Sequence, residues 1–385
     1  MKESLKRELS EIEAAGLLRR ERTATFITDR EIVVDGRRCL NFSSNNYLGL
    51  SFDERVSGFA QSSYYRYGSG GTSSRLVAGT FEIHKELEQK LAAFKGKEAA
   101  LAFPSGYQTN LGIIGALLKD GDCVIMDKLN HASLWDGAKL CGARIFVYEH
   151  RDMDSLEKIL RRVEGYRRKL IATDSVFSMD GDLAPLADIA ALAKKYRAWT
   201  MIDEAHATGV FGQNGRGLAE QLGVENEIDI VMGTLSKALG SQGGFVCGSR
   251  EFVEYLVNKS RSYIYTTALA PSCAAAALKA LEIVITEPDR RERLLKNAAA
   301  LRAKLKSAGF ETFNSESQIV PVLAGGASEA NAVSRKLFDR GIFAPAIRPP
   351  TVPEGSCRLR FSITSAHEQK DLDKLFDSLS SAVEK

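Results

Sequence analysis

The stretch Trp199-Thr200-Met201-Ile202-Asp203-Glu204-Ala205-His206 decides the fold, because an apolar run of strand composition stops abruptly at a carboxylate and an imidazole follows. A charge at the end of a buried strand needs a cation or hydrogen-bond donors beside it, and in open parallel sheets ligands gather beyond the carboxyl ends of the strands. The same design returns downstream, where Ile228 to Met232 leads into Thr234-Leu235-Ser236-Lys237-Ala238-Leu239-Gly240. Outward from these two points, short apolar runs alternate with helical patterns between Glu98 and Val246: Ala99 to Phe103, Cys123 to Met126, Arg144 to Val147, Leu170 to Thr173, Thr200 to Ile202 and Gly244 to Cys247. That alternation predicts an α/β fold with a mostly parallel sheet covered on both faces. Further on, a helical stretch from Pro271 to Leu305 breaks near Pro288, and strand-like Gln318-Ile319-Val320 and Arg358 to Ile363 surround a helix near Glu329 to Arg340. With a final helix, these predict a smaller C-terminal α+β domain. At the other end a charged amphipathic helix precedes a hairpin in which Ile32-Val33-Val34 and Arg38-Cys39-Leu40 flank the turn Asp35-Gly36. The expected division is an N-terminal helix and hairpin segment over residues 1–45, a large domain over 46–287 and a small domain over 288–385.

A chain of 385 residues exceeds what one hydrophobic core organises, in keeping with two domains. Lysine and arginine number 52 against 49 acids, a balance that gives no electrostatic reason to expect nucleic acid or a membrane as partner. Cys39, Cys123, Cys141, Cys247, Cys273 and Cys357 are dispersed without a CxxC pair, which argues against a zinc cluster or a disulfide framework and fits a reducing compartment. The opening residues lack the unbroken apolar stretch of a signal peptide, so a cytoplasmic protein is expected. Pro271, Lys279 and Glu282 interrupt the run from Ala268 to Ile285, which reads as a packed helix rather than a membrane span. Gly68-Ser69-Gly70-Gly71-Thr72-Ser73 has no strand before it and no third glycine in place, so it reads as a flexible or interfacial loop and not as a dinucleotide fingerprint. Asp180-Gly181-Asp182 lacks the spacing of a calcium loop, and no metal is expected.

An amine at Lys237, a carboxylate at Asp203 and an imidazole at His206, all just past strand ends, suit pyridoxal 5′-phosphate. The amine forms a Schiff base with the aldehyde, and the carboxylate pairs with the pyridine nitrogen and keeps the ring an electron sink. Thr234 and Ser236 supply hydroxyls for a phosphate, and Gly240, Gly243 and Gly244 let backbone approach a flat ring. In Phe103-Pro104-Ser105-Gly106-Tyr107-Gln108-Thr109-Asn110 a strand gives way to a helix whose first amides, at Gly106 and Tyr107, face an anion. His131, in Asn130-His131-Ala132-Ser133, starts another helix and has the right place to stack on the ring. Each element also has a plainer reading: a solvated lysine, an aspartate capping the next turn, a serine capping a helix, and structural histidines.

Taken together, the ordered motifs resemble the α-oxoamine synthases, a group of fold-type I pyridoxal phosphate enzymes. The likeness runs nearly end to end through Asn41-Phe42-Ser43-Ser44-Asn45-Asn46-Tyr47-Leu48-Gly49-Leu50, Ser105-Gly106-Tyr107, Asn130-His131-Ala132-Ser133, Val176-Phe177-Ser178-Met179-Asp180-Gly181-Asp182, Asp203-Glu204-Ala205-His206 and Thr234-Leu235-Ser236-Lys237. The resemblance implies a fold-type I transferase in which Lys237 is the Schiff-base lysine and proton shuttle, Asp203 the pyridinium partner and His131 the stacking residue. It makes His206 and Ser178 polar contacts to the cofactor and Gly106, Tyr107 and Thr234 its anchors. It further implies a homodimer with shared active sites, in which Thr266 and Thr267 of Tyr265-Thr266-Thr267 reach the neighbouring subunit's phosphate. The segment Ala346-Ile347-Arg348-Pro349-Pro350-Thr351-Val352-Pro353 is most similar to the biotin-pathway member of the group, which joins L-alanine to a pimeloyl thioester of coenzyme A or of an acyl carrier protein. By that likeness Arg348 holds the amino-acid carboxylate, Thr351 lines the substrate pocket, and Arg19 and Asn45 belong to the substrate site. The alternative within the group uses glycine and acetyl-coenzyme A. Two departures from the usual pattern are Ala207, where many relatives carry glycine, and Asp174-Ser175, where a Glu-Gly pair occurs elsewhere.

Overall fold

In the computed structural model, which describes residues 1–383, the apolar runs of the chain's middle form one seven-stranded sheet. Its strands are β1 (Ala99–Phe103), β2 (Cys123–Asp127), β3 (Arg144–Tyr148), β4 (Lys169–Asp174), β5 (Trp199–Asp203), β6 (Ile230–Thr234) and β7 (Gly244–Gly248). They lie in the order β1-β7-β6-β5-β4-β2-β3. β7 pairs antiparallel with β1 and β6, whereas β6, β5, β4, β2 and β3 are parallel. The expected α/β class and mostly parallel sheet are what the chain adopts.

Both faces of this sheet are covered. Alternate residues Leu101, Phe103, Val124, Met126, Leu170, Ala172, Ile230 and Met232 share a core with Ile113 and Ile114 of helix α1 (Gly106–Leu117) and Leu134 and Ala138 of helix α2 (Ala132–Cys141). The intervening Ala102, Ile125, Ile171, Ile202, Val231 and Phe245 are buried too, which is why these strands read as continuous apolar runs. Each such side chain contributes about 1.5–3 kcal/mol on full burial. α1 starts where Ser105, extended at φ −155°, accepts the Gln108 amide at 3.2 Å. The cap leaves the first amides of the helix, those of Gly106 and Tyr107, with no acceptor inside it.

The described chain falls into two units. The sheet belongs to the larger, Leu48–Ser178 with Leu183–Glu292. The smaller unit joins Met1–Tyr47, Met179–Asp182 and Arg293–Lys385. In it Glu31–Val34 and Arg37–Asn41 form the hairpin, with Asp35 and Gly36 at φ 49° and 80°, the left-handed pair that a two-residue turn requires. A second sheet of Ile319–Gly325, Cys357–Ser362 and Ala346–Ile347 is antiparallel throughout. The opening helix Lys2–Ala14 buries none of its residues. All six cysteines are free, four of them buried. Among the described residues no helix is long and apolar enough to cross a membrane.

One buried histidine in each unit is fixed in the neutral form by its bonds. His84 Nδ1 accepts the Phe81 amide at 3.1 Å while Nε2 lies 2.8 Å from the Leu269 carbonyl. His367 Nδ1 accepts the Thr364 amide at 3.0 Å, Nε2 lies 3.2 Å from the Asn41 carbonyl, and the ring stacks on Phe42 at 4.3 Å. An accepting Nδ1 and a donating Nε2 describe one neutral tautomer, and burial pushes both imidazoles down to about 4. An unfolded imidazole takes its proton near pH 6.5, so between there and pH 4 the unfolded chain binds protons that the folded chain refuses. Stability is therefore complete above about pH 6.5 and falls toward pH 4, by on the order of 3 kcal/mol for each histidine. Urea unfolding at stepped pH measures it: the midpoint drops steeply between pH 6.5 and 4.5, and His84→Gln flattens the drop. A midpoint insensitive to pH over that range contradicts the assignment.

Candidate active site

The carboxyl ends of β2, β4, β5 and β6 and the start of α1 surround a cavity of about 250 Å³ in the larger unit, lined among others by Gly106, Tyr107, Asn110, His131, Ser133, Asp174, Asp203, His206, Thr234, Ser236 and Lys237. Seven of the residues singled out from the sequence as cofactor contacts thus meet in one place: Gly106, Tyr107, His131, Asp203, His206, Thr234 and Lys237. Ser178, past the end of β4, and Thr266 and Thr267 do not line it. Thr266 Oγ1 accepts from Gln108 Nε2 at 3.2 Å, and Thr267 bridges to Ser74.

Asp203 ends β5 and is 4% exposed. Its Oδ2 accepts from Asn110 Nδ2 and its Oδ1 from the Ala205 amide, both at 2.8 Å. The aspartate therefore caps the turn after its strand and also lines the cavity. Glu204, the next residue, pairs with buried Lys95 at 2.6 Å and accepts the Ala219 amide at 3.0 Å. That pair fixes the chain just beyond Asp203. Beyond β6, Lys237 Nζ lies 2.9 Å from His206 Nε2. The turn that carries the lysine closes through Gly240, at φ 60°, where a Cβ would stand 2.4 Å from the Ser51 amide nitrogen. Only glycine fits there.

Asn110 and Ser133 were quoted in motifs but given no role by the sequence. Asn110 sits one helical turn after Gly106 on the same face of α1, and its amide joins Asp203 to Ser133 Oγ, each at 2.8 Å. Ser133 Oγ in turn lies 2.8 Å from His131 Nδ1, which also accepts the Ser133 amide at 3.3 Å. With Asn110 donating to the hydroxyl, the hydroxyl donates to Nδ1, and the imidazole proton sits on Nε2. Burial lowers the His131 pKa, opposed by Asp203. The ring is thus the neutral aromatic surface that stacking on a pyridine needs.

The four candidate substrate residues lie in the smaller unit. Arg19 Nη2 donates to the Pro349 carbonyl at 3.2 Å, Arg348 Nη1 to the Gly16 carbonyl, and the Thr351 amide to the Arg348 carbonyl at 3.1 Å, so these three come together. Asn45 is in another group, its Oδ1 accepting from Tyr47 Oη at 3.0 Å and facing the Arg360 guanidinium.

The cavity's donor set fits a flat ring bearing a phosphate. The α1 amides, Thr234 Oγ1 and Ser236 Oγ are the polar groups that suit an anion, and Gly106 lies against Thr234, a Cβ there coming within 3.6 Å of its hydroxyl. Gly244 on β7 touches the same turn, since its Cβ would stand 2.7 Å from the Gly106 nitrogen. Asn110 Oδ1 is buried with no hydrogen-bond partner among the described residues. Of such atoms, those that line a cavity mark where a ligand completes the bonding.

Known proteins resemble this chain along nearly its whole length. Residues 37–379 match the aminotransferase class I and II family. A curated 8-amino-7-oxononanoate synthase of Lysinibacillus sphaericus is 48% identical, covering 98% of this chain and 97% of its own. That of Geobacter sulfurreducens is also 48% identical, over 97% of this chain and 96% of its own. Among solved structures, a serine palmitoyltransferase of S. paucimobilis with a bound PLP–myriocin aldimine superposes with a TM-score of 0.94 at 36% identity, covering 98% of this chain and 96% of that one. An 8-amino-7-oxononanoate synthase of Francisella tularensis gives 0.78 at 29%, covering 90% and 98%.

The contact of β7 with the start of α1 yields a test. Gly244→Ala pushes the Gly106 and Tyr107 amides out of line and weakens pyridoxal phosphate binding by roughly tenfold or more, since a charge-assisted bond to an anion is worth about 1.5–3 kcal/mol. Titration followed in the visible region reads it; unchanged affinity in a folded variant removes these amides from the cradle.

Proposed function

This chain belongs to the aminotransferase class I and II family, and from that membership we propose that it is a pyridoxal phosphate enzyme that condenses L-alanine with a pimeloyl thioester to give 8-amino-7-oxononanoate, carbon dioxide and a free thiol. The observation that carries the reading is the 48% identity over 98% of the chain to synthases of that product, against 36% to serine palmitoyltransferase. A cavity that combines an amine, a buried carboxylate, a neutral imidazole and a phosphate cradle supports it.

In this reaction the Cα of alanine gives up its proton and forms a bond to the acyl carbonyl carbon, the thiolate leaves, the carboxylate departs as carbon dioxide, and Cα regains a proton. The cofactor, when bound, supplies an electron sink for the pair left on Cα. The chain's own residues do the rest. The α1 amides with Thr234 and Ser236 hold the phosphate, and Lys237 holds the aldehyde end by its amine. Asp203, oriented by Asn110, keeps the ring nitrogen protonated, and His131 covers one face of the ring. Lys237 Nζ also moves the Cα proton, with His206 at 2.9 Å to keep the amine in place. Arg348, with Arg19, Asn45 and Thr351, serves the substrates, the guanidinium matching a carboxylate by its forked donors. Ser178 remains a proposed cofactor contact. Thr266 and Thr267 are proposed to act across a homodimer, where each would reach the other subunit's phosphate.

Replacement of Lys237 by alanine lowers kcat by roughly 10²–10⁴-fold or more, the scale of a lost acid–base group, while pyridoxal phosphate still binds. Assays that cross alanine, glycine and serine with pimeloyl, acetyl and palmitoyl thioesters decide the substrate. The alanine and pimeloyl pair gives the highest kcat/KM; preference for serine with palmitoyl, or glycine with acetyl, overturns the assignment while leaving the cofactor chemistry intact.

A further inference from the structure

β2 and β4 are neighbours in the sheet, yet the chain leaves β2 for β3 on one side and β4 for β5 on the other. Helices that follow two such strands cover opposite faces, and a crevice opens between the strand ends. His131 stands at this crevice, on the segment that leaves β2, and the regular pairing of β2 with β4 is over before it, at Met126 and Ala172.

Side chains take over where the backbone ladder stops. Asn130, 7% exposed, donates from Nδ2 to the Ala172 carbonyl at 2.7 Å and accepts the Asp174 amide at 3.2 Å. It thereby occupies the place of the next residue of a paired strand. Asp174, 3% exposed, then accepts the His131 amide on Oδ2 at 2.7 Å. From behind, Asp127 secures the same turn: its Oδ1 accepts the Leu129 amide at 2.8 Å and its carbonyl the Asn130 amide at 3.2 Å. Asp174 lines the cavity and is register partner to Asp203 across β4 and β5.

We propose that Asp174 is a positioning residue of this enzyme, whose carboxyl group, clamped between the Asn130 loop and the end of β4, sets the height and tilt of the His131 ring over the cofactor site. The inference rests on the proposed role of His131 as the residue that covers the ring. Two carboxylates side by side in a buried site do not both ionise readily. Burial, and behind it Asp203, push the Asp174 carboxyl well above the usual carboxylate range, so Asp174 serves as a neutral acceptor beside Asp203. A neutral acceptor is what an asparagine supplies as well.

The test uses holoenzyme variants Asp174→Ala, Asp174→Asn, Asn130→Ala, His131→Ala and the double variant of Asp174→Ala with His131→Ala. Three readouts apply: kcat/KM, the pyridoxal phosphate dissociation constant, and the visible circular dichroism band of the bound cofactor. Asp174→Ala lowers kcat/KM by roughly 10- to 100-fold, the effect of moving a site group by about 1 Å, and changes the dichroism band. Asp174→Asn stays within about threefold of wild type, because its amide oxygen accepts the same His131 amide. Once the ring is gone, Asp174→Ala has no further effect beyond that of His131→Ala. Asn130→Ala opens the clamp from the loop side and gives the signature of Asp174→Ala, which keeps the inference testable if one of the two fails to fold. Full additivity of Asp174→Ala and His131→Ala, or equal damage from the asparagine and alanine variants, overturns the clamp. If His131→Ala alone changes neither rate nor dichroism, the reading of His131 itself falls, and this inference with it.

Discussion

A nearly buried carboxylate at the carboxyl end of a strand, facing a cavity, is the constraint on which the site is built. Unpaired, such a group costs several kcal/mol, and the structure gives Asp203 two fixed donors, Asn110 Nδ2 and the Ala205 amide. The first ties helix α1 to β5, so the helix whose opening amides are proposed to hold the phosphate is fastened to the residue proposed to face the ring nitrogen. Ser133 carries the same network to His131. The start of α1, Asp203 and His131, the proposed phosphate cradle, ring partner and stacking residue, are therefore one hydrogen-bonded object, and moving one member moves the others.

Much of the fold was legible because strands buried on both faces leave unbroken apolar runs in the sequence, and each run identified there is a strand of the sheet. The hairpin was legible because Asp35-Gly36 is a composition for positive φ, and both residues adopt it. Chemistry-bearing residues at strand ends could be read directly, as Asp203 and Lys237 were. Asn110, Ser133 and Asp174 were not, since their roles depend on which strand ends are neighbours. Asn110 left a trace that helical periodicity can find, four residues after Gly106 on one face. Asp174 stood in view as a departure from a Glu-Gly pair, and a carboxyl group at that position has an acceptor's task that either acid could fill.

Why the segment after β2 needs side-chain fastening follows from topology. A strand end whose successor helix lies on the near face is packed by that helix, but at the point where successive connections part to opposite faces the backbone borders a crevice. The crevice is useful because a ligand enters there, and it leaves amides without strand partners. An asparagine suits this position because its side chain donates and accepts at once. Asn130 does both, to Ala172 and from Asp174, and so extends β2 without a strand.

The charges of the cavity complete the argument. Its titratable groups are two carboxyls, two imidazoles, one amine and the Tyr107 phenol, and a ligand with an anionic phosphate and a protonated ring would bring charges of both signs into the same space. In the proposed binding mode the phosphate would meet backbone amides and hydroxyls, which need no counter-ion. In that proposed mode the protonated ring would meet Asp203, while burial and the neighbouring Asp203 raise the pKa of Asp174 beside it. His131, whose Nδ1 accepts from Ser133, brings no positive charge against the ring it is proposed to cover. A neutral imidazole lies where a cation would oppose a protonated ring, and a carboxylate lies where that ring's own cation is expected, so the polarity of the proposed site suits pyridoxal phosphate in one orientation.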